Sequence, residues 1–496
     1  MMVYLLIEQL ISQVISAGLI KERDRIYCRN QILGLLKMES FEEPVLTKTD
    51  KTIPQLLTEI VEYAITKQVI TRALDDRDQL KAQIMNVFLP SPSAVNDQFN
   101  SLYQQDPIKA TDFFYHFSQT SHYIQTERIA KNIHFQSDTD YGKIDITINL
   151  SKPEKDPLQI KREREMKQTS HYPTCLLCSE NEGYVGRIGH PARSNHRMID
   201  LNLLGEDWYF QYSPYLYYHE HSIVLCKEHQ PMVISKTTFA RLFAFVKQFP
   251  HYFIGSNADL PIVGGSILSH DHYQAGQYTF GMTDAKDAYQ FKLDDYPTID
   301  ASVLNWPMSV IRLRAQDTDQ LVEAGGEILA KWREYSDPVV DLVAFTDKTP
   351  HNTITPIAQF RNGRYQLDLV LRNNRTSSEH PEGIFHPHQD VHHIKKENIG
   401  LIEVMGLAVL PPRLKDELKD LKHYLLGEVN QIEAYHQPWA NEIKLEYKQL
   451  TRDNIDQVIE QELSNKFIKI LKDSGIFKDD SRGWQAFKRF TSSLNK

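Results

Sequence analysis

Apolar residues recur at helical spacing through the first quarter of the chain. Val3, Ile7, Leu10, Ile11, Val14 and Ile15 mark one amphipathic stripe, and the pattern returns in Arg25–Met38, Pro54–Ile70 and Asp78–Phe88. A Pro-Ser break at Leu89–Ser93 interrupts it. These stripes predict a region, Met1 to about Phe135, that is mostly helical and serves packing. Near Tyr141 the period shortens to two: Ile144-Asp145-Ile146-Thr147-Ile148-Asn149-Leu150 alternates as a half-buried strand does. Lys161–Lys167 balances its charges as a solvated helix would. Further on, Ser222–Leu225, Ser309–Ala315, Val339–Thr346, Thr353–Phe360, Tyr365–Arg372 and Ile399–Leu410 are predicted strands. Asn362-Gly363 sits as a tight hairpin turn between two of them. Thr237–Phe249 has helical period, as does the stretch from Leu414 to the end.

Composition narrows the class. At 41% hydrophobic and 24% charged, 496 residues can bury sizeable cores, so a soluble, folded, multi-domain protein is expected. A formal net charge of −9 argues against a general nucleic-acid binder. The first twenty residues are apolar but carry Glu8, Gln9 and Gln13 and lack a basic start, which favours a helix over a signal peptide. No run approaches the roughly 18 apolar residues of a membrane span. The expected location is the cytoplasm.

Chemistry concentrates in a few places. Asp259–Gly276 reads D-L-P-I-V-G-G-S-I-L-S-H-D-H-Y-Q-A-G. The Gly264-Gly265 pair allows close backbone approach. A strand from Ser266 onward would place His270, His272 and Gln274 on one face, a row suited to attack on phosphorus. Cys175 and Cys178 form a C-x-x-C pair. With His229 and His270 they make a Zn²⁺ ligand set of two thiolates and two imidazoles; a redox couple and two free thiols are the alternatives. The basic segment Arg193-Ser194-Asn195-His196-Arg197 follows a glycine turn and offers bidentate phosphate contacts. A second histidine cluster, His386-Pro387-His388, lacks the glycine lead-in, and its glutamine follows immediately.

The eighteen-residue stretch resembles, without a break, the active-site signature of the second class of galactose-1-phosphate uridylyltransferases, in the histidine-triad superfamily. Similarity runs from about Tyr141 to Leu414. The resemblance implies an α+β fold: two histidine-triad-like antiparallel-sheet repeats with helices, a helical N-terminal leader and a C-terminal helical extension. The corresponding boundaries are 1–140, 141–300, 301–414 and 415–496. By position, His272 is the nucleophile toward the α-phosphorus of a nucleotide and Gln274 the phosphate-binding amide. Asn257, Gly265, Ser266, Arg193, Asn195, Arg197 and Glu403 are the expected substrate contacts. The first-class relatives carry phosphate-binding arginines near residue 152, where this chain has only Lys152 and Lys155. Zinc on Cys175, Cys178, His229 and His270 and a homodimer are likewise implied. The expected reaction moves UMP from UDP-glucose to galactose 1-phosphate, with no nucleic-acid or membrane partner. A dinucleotide phosphorylase of the same superfamily and a zinc-stabilised, non-catalytic interaction module are the alternatives.

Overall fold

The computed structural model describes residues 2–151, 170–265 and 267–495. Ser266, Lys152, Lys155 and the Lys161–Lys167 run lie outside them. The chain divides into two compact units: Met1–Lys131 with Ser151–Leu216 and Glu220–His229, and Asn132–Leu150 with Tyr217–His219 and Gln230–Lys496.

In the first unit the predicted stripes are helices, Met2–Ser16, Arg25–Leu35, Ile53–Thr66 and Leu74–Asn86. Their apolar faces close on one core that contains Ile7, Leu10, Ile11, Leu57, Ile60 and Ile84. Polar residues just ahead of prolines start the helices. The backbone N–H of Ile108 donates to Asp106 Oδ1 (2.9 Å) at the head of Pro107–Thr120, and Ser91 caps Pro92–Tyr103 in the same way. Proline at the first turn gives up only an N–H that would have no helical partner. The Pro-Ser break in the hydropathy pattern is therefore a helix start. The unit also holds an antiparallel meander, Ile199–Leu203, Glu206–Tyr212 and Ser222–Cys226.

The second unit is built on antiparallel strands in the order His272–Gly276, Phe253–Gly255, Asn352–Arg361, Arg364–Asn373, Val310–Ala315, Asp300–Leu304 and Asp287–Phe291. Asn362 and Gly363, with φ of 51° and 74°, make the hairpin turn that their dipeptide predicted. The register of the neighbouring pair places Arg312 opposite Asp368, and their buried side chains meet in two 2.7 Å bonds. Helices Lys236–Gln248 and Thr318–Glu334 pack on this sheet. They approach closely because Gly325 has no Cβ; one would stand 2.9 Å from Leu367 and 3.1 Å from Phe239. A separate sheet pairs Ile133–Thr139 with Gly142–Ile148, and the latter runs parallel to Leu407–Leu410.

Three strand expectations need correction. Val339–Thr346 is a 3₁₀ turn, Pro338–Val340, followed by a two-residue strand at Phe345–Thr346; Pro338 takes the first-turn position and Asp337 caps it, a local preference stronger than the apolar run. Ile399–Leu410 is split into a helical turn, Leu401–Val404, and the Leu407–Leu410 strand. Gly406, at φ 106°, makes that break. The signature strand begins only at His272, and His270 lies in a bend before it.

Candidate active site

Buried anchors hold the signature loop. Asp259 accepts from the Ile234 backbone N–H (2.9 Å) and from Thr353 Oγ1 (2.5 Å). Ile262, a β-branched residue, sits at φ 74°, a conformation such side chains adopt only under strain. The glycine pair serves the loop itself: a Cβ on Gly264 would lie 2.5 Å from the Ala258 carbonyl oxygen, and one on Gly265 would lie 2.8 Å from the Asn257 amide nitrogen. Asn257, buried, accepts from the Leu401 N–H through Oδ1 (2.9 Å), which ties the loop to the Leu401–Val404 turn.

Next along the chain, the Asp271 N–H donates to the Gln230 carbonyl (2.7 Å), and Arg241 stands 3.5 Å from the Asp271 carboxylate. His272 is buried, and its Nδ1–H donates to the His270 carbonyl at 2.7 Å. A carbonyl can only accept, so the ring proton is on Nδ1 and the lone pair on Nε2. Burial holds the imidazole's pKa at about 4, partly countered by that backbone bond, so the ring is neutral at pH 7. His272 and Gln274 share a strand face, and the amide oxygen of Gln274 is buried without a partner. Tyr218 fixes the end of the strand by donating its hydroxyl to the Ala275 carbonyl (3.1 Å).

Cys175, Cys178 and His229, three of the four expected metal ligands, come together in the first unit. In the first unit, Cys178 Sγ lies 3.3 Å from Cys175 Sγ and 3.1 Å from His229 Nδ1. Neither cysteine forms a disulfide. Burial and the neighbouring Cys175 push the Cys178 thiol up to about 12. Two sulfurs and a ring nitrogen converging this closely fit a tetrahedral zinc, whose bonds of about 2.0–2.3 Å set comparable separations. His270 is fully buried in the second unit.

The Arg193–Arg197 segment divides its labour. Arg197 is spent on the fold: it donates to the Pro90, Ser194 and His196 carbonyls and to Asn86 Oδ1. Asn195 donates to the Ser121 carbonyl (2.9 Å). Arg193 lies over the Tyr123 ring (5.6 Å to its centroid). Arg193 and Asn195 line a cavity of about 390 Å³ in the first unit, together with Lys81, His122 and Arg128 from the helical region. Nothing in the apolar spacing marked those three. Glu403, buried, accepts from the Gly400 N–H (2.8 Å) and pairs with Lys395 at 2.7 Å. Sequence reading missed Lys395 and the His270 carbonyl. The first reads as one more charge in a basic run, and the second is backbone, which no residue pattern reveals.

A neutral histidine with its tautomer set by the chain and an amide two residues on, on an antiparallel sheet, are chemically suited to attack on phosphorus, and the comparisons with known proteins give the class, a nucleotidyltransferase. The family models for the N-terminal and C-terminal domains of galactose-1-phosphate uridyl transferase match residues 18–231 and 245–441. The chain belongs to the galactose-1-phosphate uridylyltransferase family. Relatives of that name from Clostridium perfringens (strain 13) and Ligilactobacillus salivarius are each 51% identical, over 99% of this chain and 99% and 98% of theirs. Among solved structures, yeast Ap4A phosphorylase Apa2 matches at a TM-score of 0.33 and 12% identity, over 60% of this chain and 91% of that one. Among the described residues, no helix is long and apolar enough to cross a membrane.

Proposed function

We propose that this chain transfers UMP from UDP-glucose to galactose 1-phosphate by double displacement through uridylyl-His272. The Nδ1 bond to the His270 carbonyl carries the reading, because it leaves Nε2 unprotonated and aimed by the backbone. Nε2 attacks the α-phosphorus, and the bond to the bridging oxygen breaks. Glucose 1-phosphate leaves with the electron pair. A phosphate leaving group is a stable anion and needs no proton. That is why an amide, and not a second acid, can stand at position 274. Its N–H groups stabilise charge on the phosphoryl oxygens but cannot activate water, so the intermediate survives until a phosphate oxygen of galactose 1-phosphate attacks in turn. Positioning supplies most of the remaining rate.

Zinc on Cys175, Cys178, His229 and His270 belongs to the proposal. With four protein ligands it would be structural, and by gripping His270 it would steady the carbonyl that sets the His272 tautomer. Arg193 and Asn195 are assigned to substrate phosphate or ribose, and Asn257, Gly265, Ser266 and Glu403 to the sugar-phosphate side. Arg197 supports the segment from behind. A homodimer in the cytoplasm completes the reading; light scattering on the purified chain tests the dimer.

The deciding experiment is isotope exchange. Labelled glucose 1-phosphate should enter UDP-glucose with no galactose compound present. His272→Ala should abolish exchange, whereas His386→Ala and His388→Ala should leave it measurable. Exchange that requires a second hexose phosphate would point to direct transfer in a ternary complex.

A further inference from the structure

The strand Arg364–Asn373 buries an arginine whose presence the fold alone does not explain. Arg372 is 1% exposed. Arg312, buried as deeply, meets Asp368 in two bonds. Arg372 has no carboxylate within ion-pair distance among the described residues, and its Nε and Nη1 are buried without a hydrogen-bond partner. Burial pulls its pKa down to about 10, so the guanidinium is still charged at pH 7. Burying a charge is costly unless it is paired, and groups that cost stability without local return gather at functional sites.

The one bond that its side chain makes points to a role. Nη2 donates to the Ile399 carbonyl at 3.0 Å, immediately ahead of Gly400 and the Leu401–Val404 turn. Glu403, in that turn, supplies the negative field that favours the charged guanidinium. Lys395 also pairs with Glu403, at 2.7 Å on Oε1, while the Gly400 N–H donates to Oε2 at 2.8 Å. Glu403 is thus a buried carboxylate that two buried cations share. The strand register puts Arg372 on the reacting side of the sheet. Gly255 pairs with Gln274 and with Ile357, and Ile357 pairs with Asp368, four residues before Arg372. Gln274 and Arg372 therefore point to the same face.

We propose that Arg372 is a positioning residue for the hexose: by holding the Ile399 carbonyl and sharing Glu403 with Lys395, it fixes the orientation in which Glu403 meets the sugar hydroxyls of either hexose 1-phosphate. The inference rests on the assignment of Glu403 to the sugar-phosphate side. Gripped once through each oxygen, the Glu403 carboxylate keeps further lone pairs to accept from hydroxyls. Their direction depends on how the turn is held, and Arg372 holds its leading carbonyl.

Steady-state kinetics of the full-length protein test this with Arg372→Met, Glu403→Gln and the double variant. Methionine keeps an apolar stem in the core and removes the charge and the donors. Arg372→Met should raise KM for galactose 1-phosphate, and for glucose 1-phosphate in the isotope exchange, about 3- to 30-fold, as for contacting residues of one network. The kcat should stay within about twofold, because binding is lost equally before and at the transition state. Glu403→Gln should do at least as much, and the double variant no more than Glu403→Gln alone. Arg372→Lys keeps the charge and a donor for Ile399, so its KM should fall between wild type and Arg372→Met. Where Arg372→Met does not fold by circular dichroism, Arg372→Gln is judged by the same constants. A lowered thermal midpoint with unchanged KM would make the arginine structural and overturn the proposal. So would a double variant whose KM is the product of the two single effects. If Glu403→Gln leaves KM unchanged, the assignment of Glu403 itself fails, and this inference falls with it.

Discussion

The buried, carbonyl-anchored state of His272 has a measurable signature on the acid side of the pH profile. In the proposed mechanism only the neutral ring attacks phosphorus, and burial lowers its pKa from 6.5 to about 4. The neutral form therefore persists to lower pH than in a solvated imidazole. At pH 5 about 90% of such a ring is neutral, against about 3% at an ordinary pKa, a difference of about 30-fold in attacking form. The assay must avoid hexose 1-phosphates, whose own second ionisation falls near about pH 6 as in other phosphate monoesters. A single turnover of UDP-glucose labelled in the uridylyl group, with no acceptor present, isolates the first half-reaction. An alkaline quench preserves the acid-labile P–N bond. Labelling rate should stay flat from pH 7 to about 5 and fall with a midpoint near 4. The unfolded chain takes up a proton near 6.5 that His272 refuses until about 4, so stability also declines as pH falls through that window. Brief pH jumps, with circular dichroism as control, separate the two effects. A labelling rate that halves near pH 6.5 while the fold is intact would refute the reasoning.

Gln274→His should slow transfer and raise acceptor-free hydrolysis of UDP-glucose, measured as UMP release; unchanged hydrolysis would mean that the pocket alone excludes water. Cys175→Ser should cost zinc and several kcal/mol of folding energy before it changes the chemistry, as judged by metal analysis and denaturant midpoint. Asn257→Ala leaves the buried Leu401 N–H without an acceptor, which should cost about 1–3 kcal/mol and loosen the turn that carries Glu403; urea melts report the first effect and KM for galactose 1-phosphate the second.

Where a local signal is decided locally, the sequence sufficed. Asn362-Gly363 must turn because both positions take positive φ at little cost, and the helical stripes of the first unit follow from a face that has to be buried. The signature named the histidine row, but period-two reasoning extended its strand too far back. A bend keeps His270 off the ladder and turns its carbonyl toward the His272 ring. Arg193 and Arg197 look equivalent in the sequence, yet one lines a cavity and the other holds four neighbours. Two of the partners of Arg197 are local, Ser194 and His196, but the other two, Pro90 and Asn86, come from a segment about a hundred positions away, which no local pattern reveals.

The parallel pairing of Leu407–Leu410 with Gly142–Ile148 also sets a timetable for synthesis. The early hairpin cannot gain its third strand until roughly 260 further residues have been made, which at about 5–20 residues per second takes on the order of 13–50 s. Through that interval Ile144, Ile146 and Ile148, which end in the core of the second unit, lack the strand that completes their sheet. A ribosome-bound chain of this length is therefore a natural client for a chaperone that holds β-rich segments. Slow codons placed before the Leu407 strand would lengthen its vulnerability.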